Sequence, residues 1–115
     1  MPGTSEAAAA TAYNGTCGSG YKVIDQARVS SGATIYLTYS SATGNNCVVT
    51  ILDTFGTKRW LDTYVGRSSD LQIDEDRGYY SQYAGPVFVY AKGTCVIWGG
   101  TVEDDDVHRG PDHCG

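Results

Sequence analysis

The chain has 115 residues, which is the length of about one domain. Its formal net charge of −5 comes from 13 acidic and 8 basic side chains without any Lys/Arg cluster, so nucleic acid and anionic membrane surfaces are excluded as expected partners. Charged residues make up only 18%, and the 15 glycines and 9 tyrosines are typical of strands and turns rather than of helices.

The first twelve residues have low complexity and no hydrophobic period, so we expect residues 1–12 to be a flexible arm or a signal-peptide remnant. Ala10-Thr11-Ala12 matches an A-x-A cleavage pattern. The competing hypothesis is a docking arm over residues 5–14, whose small side chains would let an extended backbone lie in a partner's cleft. Its contact residues would be Ser5, Ala8, Ala10, Ala12 and Tyr13.

From Tyr21 onward, alternating segments of β-branched and aromatic residues are separated by Gly, Asn and Asp every 8 to 12 residues or so, as is typical of sandwiches. We therefore predict an all-β fold over residues 13–102, a small β-sandwich of seven or eight antiparallel strands. Residues 103–115 are predicted to form an acidic C-terminal tail tied by Cys114. The predicted strands cover residues 21–28, 33–40, 46–53, 57–65, 70–75, 79–83, 86–91 and 94–102.

Side chains alternate between the two faces of a strand, which predicts part of the core. The predicted core sets are Ile35, Leu37 and Tyr39 in the second strand, and Cys47, Val49 and Ile51 in the third.

A weak internal repeat aligns residues 33–51 with residues 85–99, each as strand, glycine-containing turn and strand. It predicts a pseudo-symmetric pair of Greek keys. The repeat places Cys47 and Cys95 at equivalent positions, each with one further cysteine outside its hairpin. Of the three pairings that four cysteines allow, we predict the disulfides Cys17–Cys47 and Cys95–Cys114. Disulfides in a small all-β chain indicate a secreted, extracellular protein.

The chain resembles the spore-associated protein A family of small secreted actinomycete proteins in three blocks, YNGTCGSGYKVID, ATIYLTYSSATGNNCVVTI and YAGPVFVYAKGTCVIWGG. The resemblance covers most of residues 13–100. It implies an exported Streptomyces-type protein with no catalytic motif. It also implies a similarity to bridging subunits of umbrella-shaped secreted toxin particles, and hence an adaptor role. Residues 58–77 and the acidic tail depart from the family pattern, as expected for regions that contact a specific partner.

Acidic residues cluster at two places, and carboxylates close to imidazoles can hold Zn²⁺ or Ca²⁺. Neither an EF-hand loop nor an HExxH helix is present, and acidic tails are usually solvated. We therefore predict no metal and no cofactor. The clusters are Asp70, Asp74, Glu75 and Asp76, and Glu103, Asp104, Asp105 and Asp106 followed by His108, Asp112 and His113.

Enzyme chemistry has little support in the sequence. Nucleophilic hydrolysis needs a base beside a Ser or Cys, yet the histidines all lie near the C-terminus, with no GxSxG motif upstream. A ribonuclease could be built from Glu75, Arg77 and His108, but the acidic neighbours of Glu75 would repel a phosphate. We expect no enzymatic activity.

Aromatic residues are more numerous than one core of this size needs, and exposed Tyr and Trp favour a protein interface or a sugar-stacking platform. We predict a partner-binding patch around the Gly85-Pro86 turn, consisting of Tyr79, Tyr80, Tyr83 and Phe88. The leading hypothesis is a secreted module that binds another protein, and the alternative is a carbohydrate or cell-wall binding module.

Overall fold

The structure is a computed structural model that describes residues 12–115, so Ser5, Ala8 and Ala10 of the predicted docking arm lie outside the described residues. The described residues form eight strands, which confirms the all-β prediction. They include no helix long and apolar enough to cross a membrane. The strands are β1 (Tyr21–Val29), β2 (Ala33–Ser40), β3 (Asn45–Leu52), β4 (Arg59–Arg67), β5 (Ile73–Tyr80), β6 (Tyr83–Tyr90), β7 (Val96–Val102) and β8 (Asp105–Asp112).

The strands are arranged in two four-stranded antiparallel sheets. Sheet A has the order β1-β2-β3-β6, and sheet B has the order β5-β4-β7-β8. After the β4-β5 hairpin the chain crosses to sheet A as β6, beside β3, and then returns to sheet B as β7, beside β4. These returns to an earlier strand are Greek-key connections. The β-sandwich prediction is therefore confirmed.

The main core lies between the sheets and is centred on Trp98 of β7, whose side chain is fully buried. Its indole N–H donates a hydrogen bond to Oδ1 of Asp112, 3.1 Å away. The polar N–H of this buried ring therefore has a hydrogen-bond acceptor, as buried tryptophans usually do. Other core residues are Ile35, Leu37, Val48, Leu52, Leu61, Val65, Val87, Val96 and Val102.

Strands β2 and β3 are buried on both faces, and this overturns part of the predicted core. Leu37 pairs with Val48 in the sheet register, so the inward set of β3 is Val48 and Leu52. The prediction that Cys47, Val49 and Ile51 point inward was wrong, because alternation cannot choose between two apolar sets when both are buried. They lie on the outer face of sheet A, where Val49 and Ile51 form a second cluster with Tyr36, Tyr13 and Tyr83.

The predicted boundaries fail most clearly at β5. The residues EDRG, expected to form a turn, continue the strand, and the chain bends at Ser81-Gln82, where it crosses from sheet B to sheet A. The polar run resembled a loop because β5 is an edge strand whose side chains are mostly exposed.

The predicted acidic tail is also corrected, since Asp105–Asp112 form β8 and pair with β7. Cys114 is joined to Cys95 and Cys17 to Cys47, the same pairing that the sequence predicts. The internal repeat does not mark two equivalent units. β2 and β3 are neighbours in sheet A, whereas β6 and β7 lie in different sheets.

Carboxylate side chains join the edges of the two sheets where β5 lies beside β6. Oδ2 of Asp76 accepts a hydrogen bond from the backbone N–H of Gly85 at 2.8 Å, and its Oδ1 accepts one from the Tyr80 hydroxyl at 2.6 Å. Oδ2 of Asp74 accepts from the backbone N–H of Phe88 at 3.0 Å. These two aspartates therefore satisfy amides that β6 would otherwise present at a free edge.

The opposite edges, β1 and β8, are joined in the same way. Oδ2 of Asp105 accepts hydrogen bonds from the Ser31 backbone N–H at 2.9 Å and from the hydroxyls of Ser30 and Ser31 at 2.7 Å. The Ser30 and Ser31 donors hold the pKa of the Asp105 carboxyl below its ordinary value. We refer to Asp74, Asp76 and Asp105 as the edge aspartates.

Replacing Asp76 with alanine should lower the free energy of unfolding by about 1–3 kcal/mol, because the Gly85 N–H and the Tyr80 hydroxyl lose a charged acceptor. Urea denaturation followed by tryptophan fluorescence measures the change. The control is Asp104→Ala, an exposed carboxylate in the β7-β8 turn, which should stay within about 0.5 kcal/mol of the parent. Equal effects of the two substitutions would contradict the role of Asp76.

Candidate functional site

The two outer faces of the sandwich differ. On the outer face of sheet A, Tyr13 and Tyr83 pack over the buried cluster of Tyr36, Val49 and Ile51, and the Cys17–Cys47 disulfide attaches the N-terminal segment. Phe88 and Tyr90 of β6 are exposed on the same face. The outer face of sheet B carries polar and aromatic side chains at successive cross-strand positions. We call it the sheet B face and define it as Trp60, Asp62 and Tyr64 of β4, Glu75, Arg77 and Tyr79 of β5, and Asp106 and His108 of β8.

A glycine shapes one end of the sheet B face. A Cβ atom added to Gly99 of β7 would lie 2.9 Å from the Tyr64 ring and 2.2 Å from the Val107 carbonyl oxygen. With no side chain there, the Tyr64 ring crosses β7 and stacks on His108 of β8, at a centroid distance of 5.8 Å and an interplanar angle of 19°. The Tyr64 hydroxyl is also hydrogen-bonded to Nδ1 of His108. The two rings are therefore nearly parallel at this end of the face.

The other end of the face carries a second aromatic pair. Trp60 and its cross-strand partner Tyr79 meet edge to face, with ring centroids 5.2 Å apart. The Tyr79 side chain is 68% exposed. Rings of this kind give a partner large contact area at little cost in conformational entropy.

Two carboxylates lie beside the aromatic pairs: Asp62 lies between Trp60 and Tyr64 on β4, and Glu75 is the cross-strand partner of Tyr64 on β5. Burial, followed by the neighbouring Glu75 carboxylate, raises the pKa of Asp62 from 3.8 to about 7, while Arg77 opposes the shift. Oδ1 of Asp62 is buried and has no hydrogen-bond donor within the described part of the chain. Burial and the neighbouring Glu75 carboxylate thus both disfavour the charged form of Asp62, and a positive charge brought to this part of the face would be attracted to the pair.

The charge on the face also acts on Tyr64. Burial and the negative charges of Asp106, Asp62 and Glu75 raise its pKa to about 12. Its hydroxyl therefore stays protonated at physiological pH. The sheet B face can accept hydrogen bonds at its carboxylates and stack or pack a ligand at its rings.

The predicted partner-binding residues do not form one surface. Tyr79 lies on the sheet B face, whereas Tyr80 packs against the main core. Tyr83 covers the second cluster, and Phe88, 38% exposed, packs edge to face on Tyr21 beside sheet A. Alternation separates Tyr79 from Tyr80, and the crossover from β5 to β6 places Tyr83 and Phe88 on the opposite sheet.

Of the predicted docking arm, Ala12 and Tyr13 are described. Ala12 is exposed, while Tyr13 is half-buried against Tyr36, with ring centroids 5.7 Å apart. The Tyr13 hydroxyl oxygen accepts a hydrogen bond from the Cys17 backbone N–H at 3.0 Å. Tyr13 is thus held on the outer face of sheet A, opposite the sheet B face.

The fold separates most members of the two acidic clusters seen in the sequence, while Asp112 and His113 lie 4.0 Å apart. Asp70 forms an ion pair with Arg67 at 2.8 Å, and Glu103 forms one with Arg59 at 2.9 Å. The two histidines are also separated, because His108 stacks on Tyr64 whereas His113 lies against Asp25 of β1.

The residues considered for a ribonuclease, Glu75, Arg77 and His108, do share the sheet B face. Glu75 and His108 are three strand spacings apart, about 14 Å, with the Tyr64 ring between them. That distance is too long for an acid and a base to act on one bond. No site at Trp60, Asp62 and Tyr64 is predicted from the sequence. These residues alternate along β4, so they share one face of that strand, and this spacing was the signal that could have identified them.

The Asp62 carboxyl should make stability depend on pH. Since its pKa is higher in the folded state, the folded protein binds more protons, and this group lowers the free energy of unfolding as pH rises from about 4 through about 7. Asp62→Asn should therefore raise the free energy of unfolding by about 1 kcal/mol at pH 8 and much less at pH 5, the partial exposure of Asp62 reducing the full effect. Urea titrations at both pH values measure this. Asp104→Asn is the control, and an Asp62→Asn effect that is the same at pH 5 and pH 8 would contradict the assignment.

Comparisons with known proteins give one curated relative. Over 113 residues, covering 98% of this chain and 73% of the relative, the sequence is 45% identical to spore-associated protein A from Streptomyces coelicolor (strain ATCC BAA-471 / A3(2) / M145). No family model matches the chain, and no solved structure matches it. The identity extends over nearly the whole chain, so the chain belongs to the spore-associated protein A family.

Proposed function

We propose that this chain is a secreted, non-enzymatic module that binds another secreted protein through the sheet B face. Its role is that of an adaptor or structural subunit of an extracellular assembly, either an antibacterial toxin particle or a spore-associated layer. The observation that carries the proposal is the 68% exposed Tyr79 ring, which packs on Trp60 beside the Asp62 carboxylate on one face of sheet B.

The chemistry of the face defines the kind of partner. Asp62, Glu75 and Asp106 place acidic groups around the aromatic rings, so a lysine or arginine side chain would be attracted to the face. Trp and Tyr are the residues that most often anchor protein interfaces. The expected partner therefore presents a basic side chain flanked by apolar surface.

Secretion is supported by two features. Both disulfides join segments that are far apart in the sequence, as in small extracellular domains. The relative's name places that protein with spores.

An adaptor needs a second contact, and the predicted docking arm over residues 5–14 would provide it. Tyr13 and the Cys17–Cys47 disulfide fix the start of the described chain on the outer face of sheet A. The arm and the sheet B face would then engage partners on opposite sides of the sandwich.

A carbohydrate or cell-wall ligand is the second candidate. It is favoured by the nearly parallel Tyr64 and His108 rings beside the carboxylates, because sugars bind by stacking on flat rings and donating hydroxyl hydrogen bonds.

Affinity capture from the culture fluid and spore fraction of a producing strain tests the leading proposal. The parent protein should retain a stoichiometric protein partner, and Tyr79→Ala should weaken its affinity about fivefold or more, since interface anchors cost over ~1 kcal/mol when truncated. Phe55→Ala, a 48% exposed ring in the β3-β4 loop, is the matched control and should bind like the parent. Equal losses for both variants would contradict the site, and strong binding to glycan or peptidoglycan alone would favour the second candidate.

Deletion of residues 1–12 tests the arm separately. The melting temperature should change little, because the deletion keeps Tyr13 and the Cys17–Cys47 disulfide, which hold the N-terminal segment on sheet A. Binding of one partner should fall strongly. Binding by isothermal titration with the captured partners measures this. An arm-less protein that retains full affinity for every partner would remove the arm from the proposal and leave the sheet B face as the interface.

A further inference from the structure

A group of potential metal ligands converges where β1 meets the end of β8. Nε2 of His113 lies 2.8 Å from Oδ2 of Asp25 and 4.0 Å from Oδ1 of Asp112. Within residues 12–115 these are the three His, Cys, Asp or Glu side chains whose ligand atoms all lie within 4.8 Å of one another. They lie away from the sheet B face and have no part in the proposed function.

The spacing of these atoms suits a small, four-coordinate cation. Zn²⁺ binds nitrogen and oxygen at about 2.0–2.2 Å, which puts neighbouring ligand atoms of a tetrahedron about 3.3 Å apart. The two distances from Nε2 of His113, 2.8 and 4.0 Å, lie on either side of that value. A calcium ion is a poorer fit because it takes six to eight oxygen ligands or so.

Both carboxylates are held in place by backbone or buried donors. Oδ1 of Asp112 accepts a hydrogen bond from the fully buried Trp98 indole at 3.1 Å. Oδ1 of Asp25 accepts one from the Gln26 backbone N–H at 2.8 Å, which leaves its Oδ2 directed at His113. Such outer partners orient ligands in established metal sites.

The site also has an open side. His113 lines a cavity of about 460 Å³ together with Ile24, Tyr39 and Asn46. A fourth zinc ligand, either water or an external group, could enter from this cavity. We propose that Asp25, Asp112 and His113 bind one Zn²⁺ ion, with the fourth coordination position facing the cavity.

The proposed ion would connect the two sheets. Asp25 belongs to the edge strand of sheet A, whereas Asp112 and His113 lie at the end of β8 in sheet B. Asp105 joins β1 to β8 at the opposite end of the same edge. Zinc bound to the folded state alone would therefore stabilise the sandwich by mass action.

The first test is a titration of the tag-free protein with ZnCl₂, followed by calorimetry and by NMR of the two tryptophan indole N–H signals. We expect one-to-one binding, a shift of the Trp98 signal through Asp112, and no shift of Trp60 on the sheet B face. The melting temperature should rise with zinc concentration. Absence of binding, or a shift of Trp60 without Trp98, would overturn the site.

Matched substitutions separate this site from adventitious binding. His113→Gln and Asp25→Asn should each weaken zinc binding tenfold or more, whereas His108→Gln, which changes the other histidine, should bind like the parent. Intact mass and circular dichroism confirm that both disulfides and the sheets are formed. If His113→Gln does not fold, Asp25→Asn on the exposed edge strand decides the question. An equal response to CaCl₂, or loss of binding in His108→Gln alone, would overturn the proposal.

Discussion

The sandwich depends on hydrogen bonds from backbone amides to carboxylates at the edges of its sheets. Asp74 and Asp76 extend from β5 and accept from amides of β6, and Asp105 accepts from Ser31 beside β1. These bonds join the sheets where no strand ladder does. They also satisfy donors that would otherwise invite pairing with another chain. Much of the acidic charge therefore serves the fold.

The outer faces of the two sheets differ in the side chains that they expose. On the outer face of sheet A, Tyr13 and Tyr83 cover the apolar cluster of Tyr36, Val49 and Ile51. Sheet B has no comparable cover among the described residues, and its central strand presents Asp62 between two aromatic pairs. The raised pKa of Asp62 expresses the cost of leaving a carboxylate partly buried beside Glu75. A folded protein keeps such an arrangement at the expense of stability, as binding sites often do.

The sequence predicts the features of this structure that depend on neighbouring residues, and it does not predict those that depend on contacts between distant segments. The strands, the fold class and the disulfide pairing follow from alternation, turns and the positions of Cys47 and Cys95. Alternation does not predict which face of β3 points inward, because both faces are apolar. Only the pairing of β3 with β2 identifies the inward face. The EDRG segment resembles a turn because β5 is an edge strand with mostly exposed side chains, and the bond from the Gly85 N–H to Asp76 that joins it to β6 has no local signal. The contact between Asp25 and His113 joins residues 88 apart and has no local signal.

The central claim is that the sheet B face contacts the partner, and hydroxyl-radical footprinting of the captured complex tests it most directly. This method measures the oxidation rate of each aromatic side chain in the free and bound protein. We expect binding to slow the oxidation of Trp60 and Tyr79. Phe55 and the exposed Tyr90 of β6 should react as in the free protein. Protection of Tyr90 and Phe88 with no change at Trp60 and Tyr79 would place the interface on sheet A and contradict the claim.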